Sequence, residues 1–226
     1  MKRRRAPRGH GEQLRDEILD ATTELLLETG HAKHVSIRSV AQRVGVTPPS
    51  IYLHFADKDA LLDAVCARYF EKLDEEMQAA VSDQPSTIEV LRAQGLAYVR
   101  FALKTPQLYR IATMGESRPG SDVDVALDSS AFVHLRHTVE QLMAEEVYPA
   151  GDSTAVALEL MTAAHGVASM LIAKPHLPWG DVEEFADRVL TAVCLGQITM
   201  GVIDRDAPPP QTVTRLKGLL DVEHTR

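Results

Sequence analysis

SIRSVAQRVGVTPPSIYLHFADK, residues 36–58, reads as two short helices joined by a glycine corner. Ser36 is placed to cap a first helix whose apolar positions Ile37, Val40, Ala41 and Val44 fall on one stripe. Gly45 supplies the backbone freedom that a sharp corner needs. Thr47 stands at the N-cap of a second helix and Pro48 at its first position, where a missing N–H costs nothing. Ile51 and Phe55 anchor that helix, leaving Thr47, Ser50, Tyr52 and His54 to face away from it. A helix, a tight turn and a polar helix make up the helix-turn-helix, whose second helix enters the major groove of DNA.

Working outward, residues 12–29 form an amphipathic helix with Leu14, Ile18, Ala21, Leu25 and Leu26 on one side, ended by Gly30. Asp57 caps a long helix over 58–81, and Ser86 with Glu89 has the spacing of a capping box that opens a helix to about Lys104. A shorter helix over 106–114 follows, then a stretch rich in Gly, Ser, Asp and Pro (115–130) that reads as loop. Helices are expected over 131–147, from Asp152 or Ser153 to about Lys174, and from Asp181 to about Met200. The tail from Asp204, with three successive prolines, reads as extended. Nothing alternates with the period of a half-buried strand, so the fold class is all-α. The expected organisation is a basic arm (1–11), a three-helix DNA-binding domain (12–57), a larger helical ligand-binding and dimerisation domain (58–203) and a flexible tail (204–226).

The net charge of −8 divides unevenly. Residues 1–56 carry nine Lys and Arg against six Asp and Glu, while residues 57–226 carry fifteen against twenty-six. Positive charge therefore sits where phosphate contact is expected, including Arg3, Arg4 and Arg5 of the arm. Cys66 and Cys194 give neither a disulfide framework nor a paired metal spacing, and both read as small buried hydrophobes. No apolar run approaches the length of a bilayer span and the basic N-terminus lacks a following apolar region, so a cytoplasmic protein with no membrane partner is expected.

The stretches ILDATTELLLETG (18–30) and VSIRSVAQRVGVTPPSIYLHFADKDALL (35–62) resemble the N-terminal domain of TetR-type transcriptional repressors. More loosely, LELMTAAHGVASMLI (158–172) resembles the ligand domain of a TetR subgroup marked by a His-Gly pair, here His165 and Gly166. The resemblance implies DNA contact through Thr47, Pro48, Pro49, Ser50, Tyr52 and His54, and phosphate contact by Lys58. Ser36 and Arg38, opening the preceding helix, offer a hydroxyl, backbone N–H groups and a guanidinium to phosphates. Pro48 and Pro49 bring no side-chain hydrogen bond to a base-reading position, so the operator cannot be read from this chain.

The resemblance also implies a small-molecule effector within the body. Phe101, Tyr109, Met114, Leu135, Met161, His165 and Met170 are candidate lining for a mostly apolar pocket; a filled core would use the same residues. Gly166 within an apolar helix suggests close packing against another helix or a ligand. Val182, Phe185, Val189 and Val193, with the small Ala192 and Gly196, form a stripe suited to a four-helix homodimer interface. Such a dimer would bind an inverted-repeat operator on double-stranded DNA.

His134 and His137, three residues apart, could join Glu140 around a metal, but that spacing alone is a weak signal and neither metal nor cofactor is expected. No nucleophile-base set emerges, so the chain is not expected to be an enzyme. The competing reading is a helical small-molecule-binding protein or enzyme without operator function.

Overall fold

A computed structural model describes residues 10–114, 130–201, 203 and 207–223, and among these the regular structure is helical with no strand. The arm arginines Arg3, Arg4 and Arg5 and the expected loop over 115–129 lie outside the described residues. The helices are α1 His10–Thr29, α2 Ile37–Val44, α3 Pro48–Tyr52, α4 Lys58–Val81 and α5 Thr87–Lys104. They continue as α6 Pro106–Met114, α7 Ala131–Ala144, α8 Ser153–Ala173, α9 Val182–Thr199 and α10 Pro209–Glu223, with a 3-10 turn at Ala32–His34.

The ends of these helices follow from local chemistry. Asp57 Oδ1 accepts the Ala60 N–H at 2.8 Å, Asp152 those of Thr154 and Ala155, and Asp181 that of Glu184, each satisfying an otherwise orphan donor. Gly30 closes α1 at φ +69°. Helix α7 stops at Ala144, short of the expected Val147: Val147 and Tyr148 both donate to the Leu142 carbonyl and Glu146 turns to φ +58°. Residues 209–223, expected to be extended, instead form α10, because Pro209 and Pro210 occupy its first turn, where their missing N–H groups have no intrahelical partner to lose.

The chain divides into two compact units. One comprises the residues up to Glu75 with those from Phe101 to Ala131, and the other Glu76–Arg100 with the chain from Phe132 onward. In the first, Ile18, Leu26, Val35, Val40, Ile51, Phe55 and Leu61 form a closed core, and Leu108 and Ile111 of α6 pack against it. Each such side chain contributes about 1.5–3 kcal/mol on burial, enough together to hold a small helical head. In the second unit Leu91, Leu135, Val139, Leu142, Ala157, Leu160 and Cys194 are buried together. The Tyr148 hydroxyl donates to the Cys194 carbonyl at 3.0 Å there, and α8 packs along α9.

One expectation is corrected. Helix α8, 21 residues with mean hydropathy 1.6 over its most apolar window, is by length and composition able to cross a membrane. Glu159, His165, Thr154 and Thr162 interrupt its apolar run. Ala157, Leu160, Ala164, Val167, Ala168, Leu171 and Ile172 bury one side of it within the unit, as a core helix would.

Candidate nucleic-acid interface and cavity

Helix α2 is fixed at both ends. The Ser36 Oγ accepts the Ser39 N–H at 3.1 Å while the Ser39 Oγ accepts the Ser36 N–H at 3.0 Å, a reciprocal capping box. At the other end Gly45 takes φ +76°, ψ +31°, which lets Val46 donate to the Ala41 carbonyl (2.9 Å) and Gly45 to that of Gln42 (3.3 Å). These paired bonds are the Schellman arrangement, and they aim the chain into α3.

Helix α3 is anchored by Ile51 and Phe55, both buried. Thr47 occupies the N-cap position, but its hydroxyl accepts no backbone N–H. Prolines at the first two helical positions remove two of the donors that a cap would satisfy, and the Ser50 N–H already goes to the Thr47 carbonyl at 2.9 Å. The Thr47 hydroxyl instead meets the Ser50 hydroxyl at 3.1 Å on the outer side of the turn. Thr47 and Pro49 are exposed, Pro48, Ser50 and His54 half-buried, and Tyr52 is 53% exposed. Leu53, two residues from each of the buried anchors Ile51 and Phe55 and so on the opposite side, is 84% exposed. It follows α3 as its C-cap, next to Tyr52.

Around this helix Ser36 and Arg38 are exposed and Lys58 is half-buried in the first turn of α4. Arg43 is committed elsewhere, its guanidinium donating to Glu24 (3.0 Å) and Glu28 (2.7 Å) on α1. That pairing lowers the Glu28 pKa through the hydrogen bond from Arg43. The surface therefore offers hydroxyls, a phenol, an exposed leucine and cations, with no charged group buried at its centre.

The second unit contains a cavity of about 40 Å³, lined by Met77, Leu91, Gln94, Gly95, Tyr98, Leu135, Leu160, Met161, Ala163, Ala164, Leu190, Val193 and Cys194. Of the expected pocket residues it brings together Leu135 and Met161. His165 is absent from the lining; its Nδ1 lies 3.4 Å from the hydroxyl of the lining residue Tyr98, and burial pushes its pKa below the ordinary value. Phe101 and Tyr109 are buried in the first unit, Phe101 against Tyr69 with ring centroids 5.0 Å apart, and so do not line this cavity. Met170 is half-exposed and is absent from the lining; the side chain of Met114 lies outside the described residues.

Gly95 was not singled out by the sequence, yet a methyl there would stand 3.2 Å from Leu190 Cδ1, so this glycine lets α5 approach α9 beside the cavity. At Gly166 a Cβ would meet nothing within 4 Å, so the close packing expected there is not made within the chain. A second hollow of about 290 Å³ is lined by Met143, Tyr148, Pro149, Glu159, Gln197 and Met200, among others.

Helices α5 and α9 are tied by Arg92, whose Nε and Nη2 donate to Asp187 at 2.6 and 2.8 Å, and by Arg100 with Glu183. Along α8 and α9, Val182 and Ala192 are exposed, and Phe185, Val189, Val193 and Gly196 half-buried. Val193 also lines the cavity, and Phe185 packs on Trp179 with ring centroids 4.9 Å apart. Leu158, Leu195 and Ile198 are exposed too, apolar surface on the same two helices that the stripe argument did not include. Among the described residues no group of three or more His, Cys, Asp or Glu side chains could hold a metal ion.

Residues 18–65 match the family described as bacterial regulatory proteins, tetR family, and residues 91–193 match the tetracyclin repressor-like C-terminal domain. Among curated proteins the chain is similar to the nucleoid occlusion factor SlmA of Edwardsiella ictaluri (strain 93-146), 23% identical over 185 residues that cover 80% of this chain and 93% of that protein. A solved structure of a protein of unknown function from Rhodococcus sp. RHA1 is similar at 26% identity and TM-score 0.72, covering 86% of this chain and all of the other. The TetR family transcriptional regulator PfmR from Thermus thermophilus is similar in fold at 19% identity and TM-score 0.56, over 78% of this chain and 96% of that one.

Proposed function

We propose that this chain, which carries the N-terminal and C-terminal domains of the TetR family of DNA-binding regulators, is a dimeric, cytoplasmic repressor released from an inverted-repeat operator by a small, mostly apolar effector. The observation that carries the reading is the outer side of α3: hydroxyls of Thr47 and Ser50 in contact with each other, and Tyr52 and the C-cap Leu53 exposed beside the buried anchors Ile51 and Phe55. In the groove that leucine and the two prolines supply apolar contact to thymine methyls, while Thr47, Ser50 and Tyr52 donate to bases or phosphates. Lys58, Arg38 and the arm arginines Arg3, Arg4 and Arg5 take the phosphates.

Two copies join through α8 and α9, covering Leu158, Leu195 and Ile198 together with the Val182, Phe185, Val189, Ala192, Val193 and Gly196 stripe, and so place two recognition helices about 34–36 Å apart on one operator. The cavity of the second unit takes the effector; we assign the His165-Gly166 pair to the His-Gly subgroup. Release requires the effector to bind the DNA-incompetent state more tightly than the competent one. Mobility shifts on the DNA upstream of this chain's own reading frame test the proposal. Retarded bands are expected on a palindromic segment at nanomolar protein and about 0.15 M salt. Equal retardation of unrelated duplexes would leave a non-specific binder and refute operator recognition.

A further inference from the structure

Gln94 is the polar residue that the effector cavity does not account for. It is 2% exposed, sits on α5 between Leu91 and Tyr98, and lines the cavity. Its Nε2 donates to the Thr138 Oγ1 at 3.1 Å, and the Thr138 hydroxyl donates to the His134 carbonyl one turn back on α7, also at 3.1 Å. With the threonine proton directed to a backbone oxygen, the threonine oxygen faces Gln94 as an acceptor. The amide must therefore present its N–H₂ to Thr138 and its carbonyl to the other side. That carbonyl oxygen, Oε1, is buried without a hydrogen-bond partner. Of the lining side chains Tyr98 and Cys194 carry donors, but neither bonds to it, the Tyr98 hydroxyl standing 3.4 Å from His165 Nδ1; Leu91, Leu135, Met161 and Leu190 have none to give. A buried acceptor left unmatched destabilises the fold, and native proteins retain few of them.

We propose that Gln94 Oε1 accepts a hydrogen bond from the effector, which is accordingly a neutral, mostly apolar molecule bearing a hydroxyl, an alcohol or a phenol. The proposal rests on the effector-cavity reading above. No charged side chain lines the cavity, so a carboxylate or an ammonium entering it would be buried without a counter-charge. A cavity of about 40 Å³ receives a group of only a few atoms as it stands. A ring or longer chain is accommodated by rotation of Met77 and Met161, whose unbranched side chains reshape a site most readily.

The test is calorimetric titration of the full chain with phenol, toluene and benzaldehyde, on the wild type and on Gln94→Leu. Comparing the toluene-to-phenol ratio of dissociation constants between the two proteins cancels the difference in hydration of the two probes. That ratio is expected to fall about tenfold on Gln94→Leu, the worth of one net hydrogen bond, with toluene binding within about twofold of wild type. Gln94→Met serves as the second variant should the leucine protein fail to fold. An unchanged ratio overturns the role of Gln94 while leaving an apolar effector cavity standing. A benzaldehyde affinity that falls in the variant as the phenol affinity was expected to fall means the amide faces the cavity with its N–H₂, and overturns the donor requirement. No binding of any probe to the wild type at millimolar concentration overturns this proposal and the effector-cavity reading together.

Discussion

Replacing Gly45 by alanine isolates the turn that orients α3. The residue sits at φ +76°, ψ +31°, and a Cβ built there meets nothing within 4 Å. Steric contact therefore contributes nothing, and the whole effect is conformational. Holding an L-residue in the left-handed region costs about 1–2 kcal/mol. Alanine also narrows the unfolded ensemble, returning about 0.4–1 kcal/mol. The net destabilisation is about 1 kcal/mol, which in a unit of this size lowers the melting temperature by about 4–8 °C. Asn tolerates the left-handed region better, so Gly45→Asn should lose roughly half as much. Thermal unfolding followed by circular dichroism measures both, and DNA affinity at about 25 °C should stay within about threefold of wild type because α3 remains folded. A Gly45→Ala protein melting within about 1 °C of wild type, or one losing DNA binding at unchanged melting temperature, would refute the argument that this residue acts through the turn.

Burial holds His165 below its ordinary pKa, so the fold favours the neutral imidazole. The resulting stability is complete above the unfolded value of about 6.5 and is lost as pH falls below it; melting temperatures between about pH 7.5 and 5 should drop less steeply in His165→Gln than in wild type, and parallel slopes would contradict this. Asp187 titrates in the opposite sense to a buried acid, because the hydrogen bond from Arg92 lowers its pKa. Its contribution is present above the unfolded carboxylate range and lost as pH falls through the depressed value, so Asp187→Asn should cost about 0.5 kcal/mol at about pH 7 and less at about pH 2.5, read from urea midpoints; an equal cost at both would assign the loss to packing. Burial pushes the Cys194 thiol up to about 11 and the Cys66 thiol to about 12. Ellman's reagent at about pH 8 should therefore label neither thiol in native protein within minutes and both after unfolding, whereas one fast native equivalent would show a thiol to be accessible.

The helix-turn-helix was legible because its determinants are local. A serine cap, a glycine at the left-handed turn and prolines at the first helical positions each act within four residues, and the structure places each where that spacing predicts. The cavity was less legible because apolar residues on successive helices do not declare which core they join. Phe101 and Tyr109 follow the same periodicity as Leu91 and Leu135 yet belong with Tyr69 in the first unit, and the packing of α6 on α1 joins segments some eighty residues apart. Gln94 did leave a signal, a lone amide between Leu91 and Tyr98 on an apolar stretch, but periodicity cannot tell a buried polar residue from one at the edge of the stripe. Helix α10 was hidden by prolines that mark a helix start as readily as an extended tail.

In the proposed function duplex DNA is met by the exposed side of α3. Fluorescence anisotropy of the palindromic duplex found upstream of the reading frame, titrated with wild type, Tyr52→Ala and Lys58→Ala across a salt series, tests it most directly. Tyr52→Ala is expected to weaken binding about tenfold or more with melting temperature unchanged, since the side chain is half-exposed. Lys58→Ala should reduce the slope of log affinity against log salt by about one. Wild-type affinity and slope in both folded variants would contradict the account.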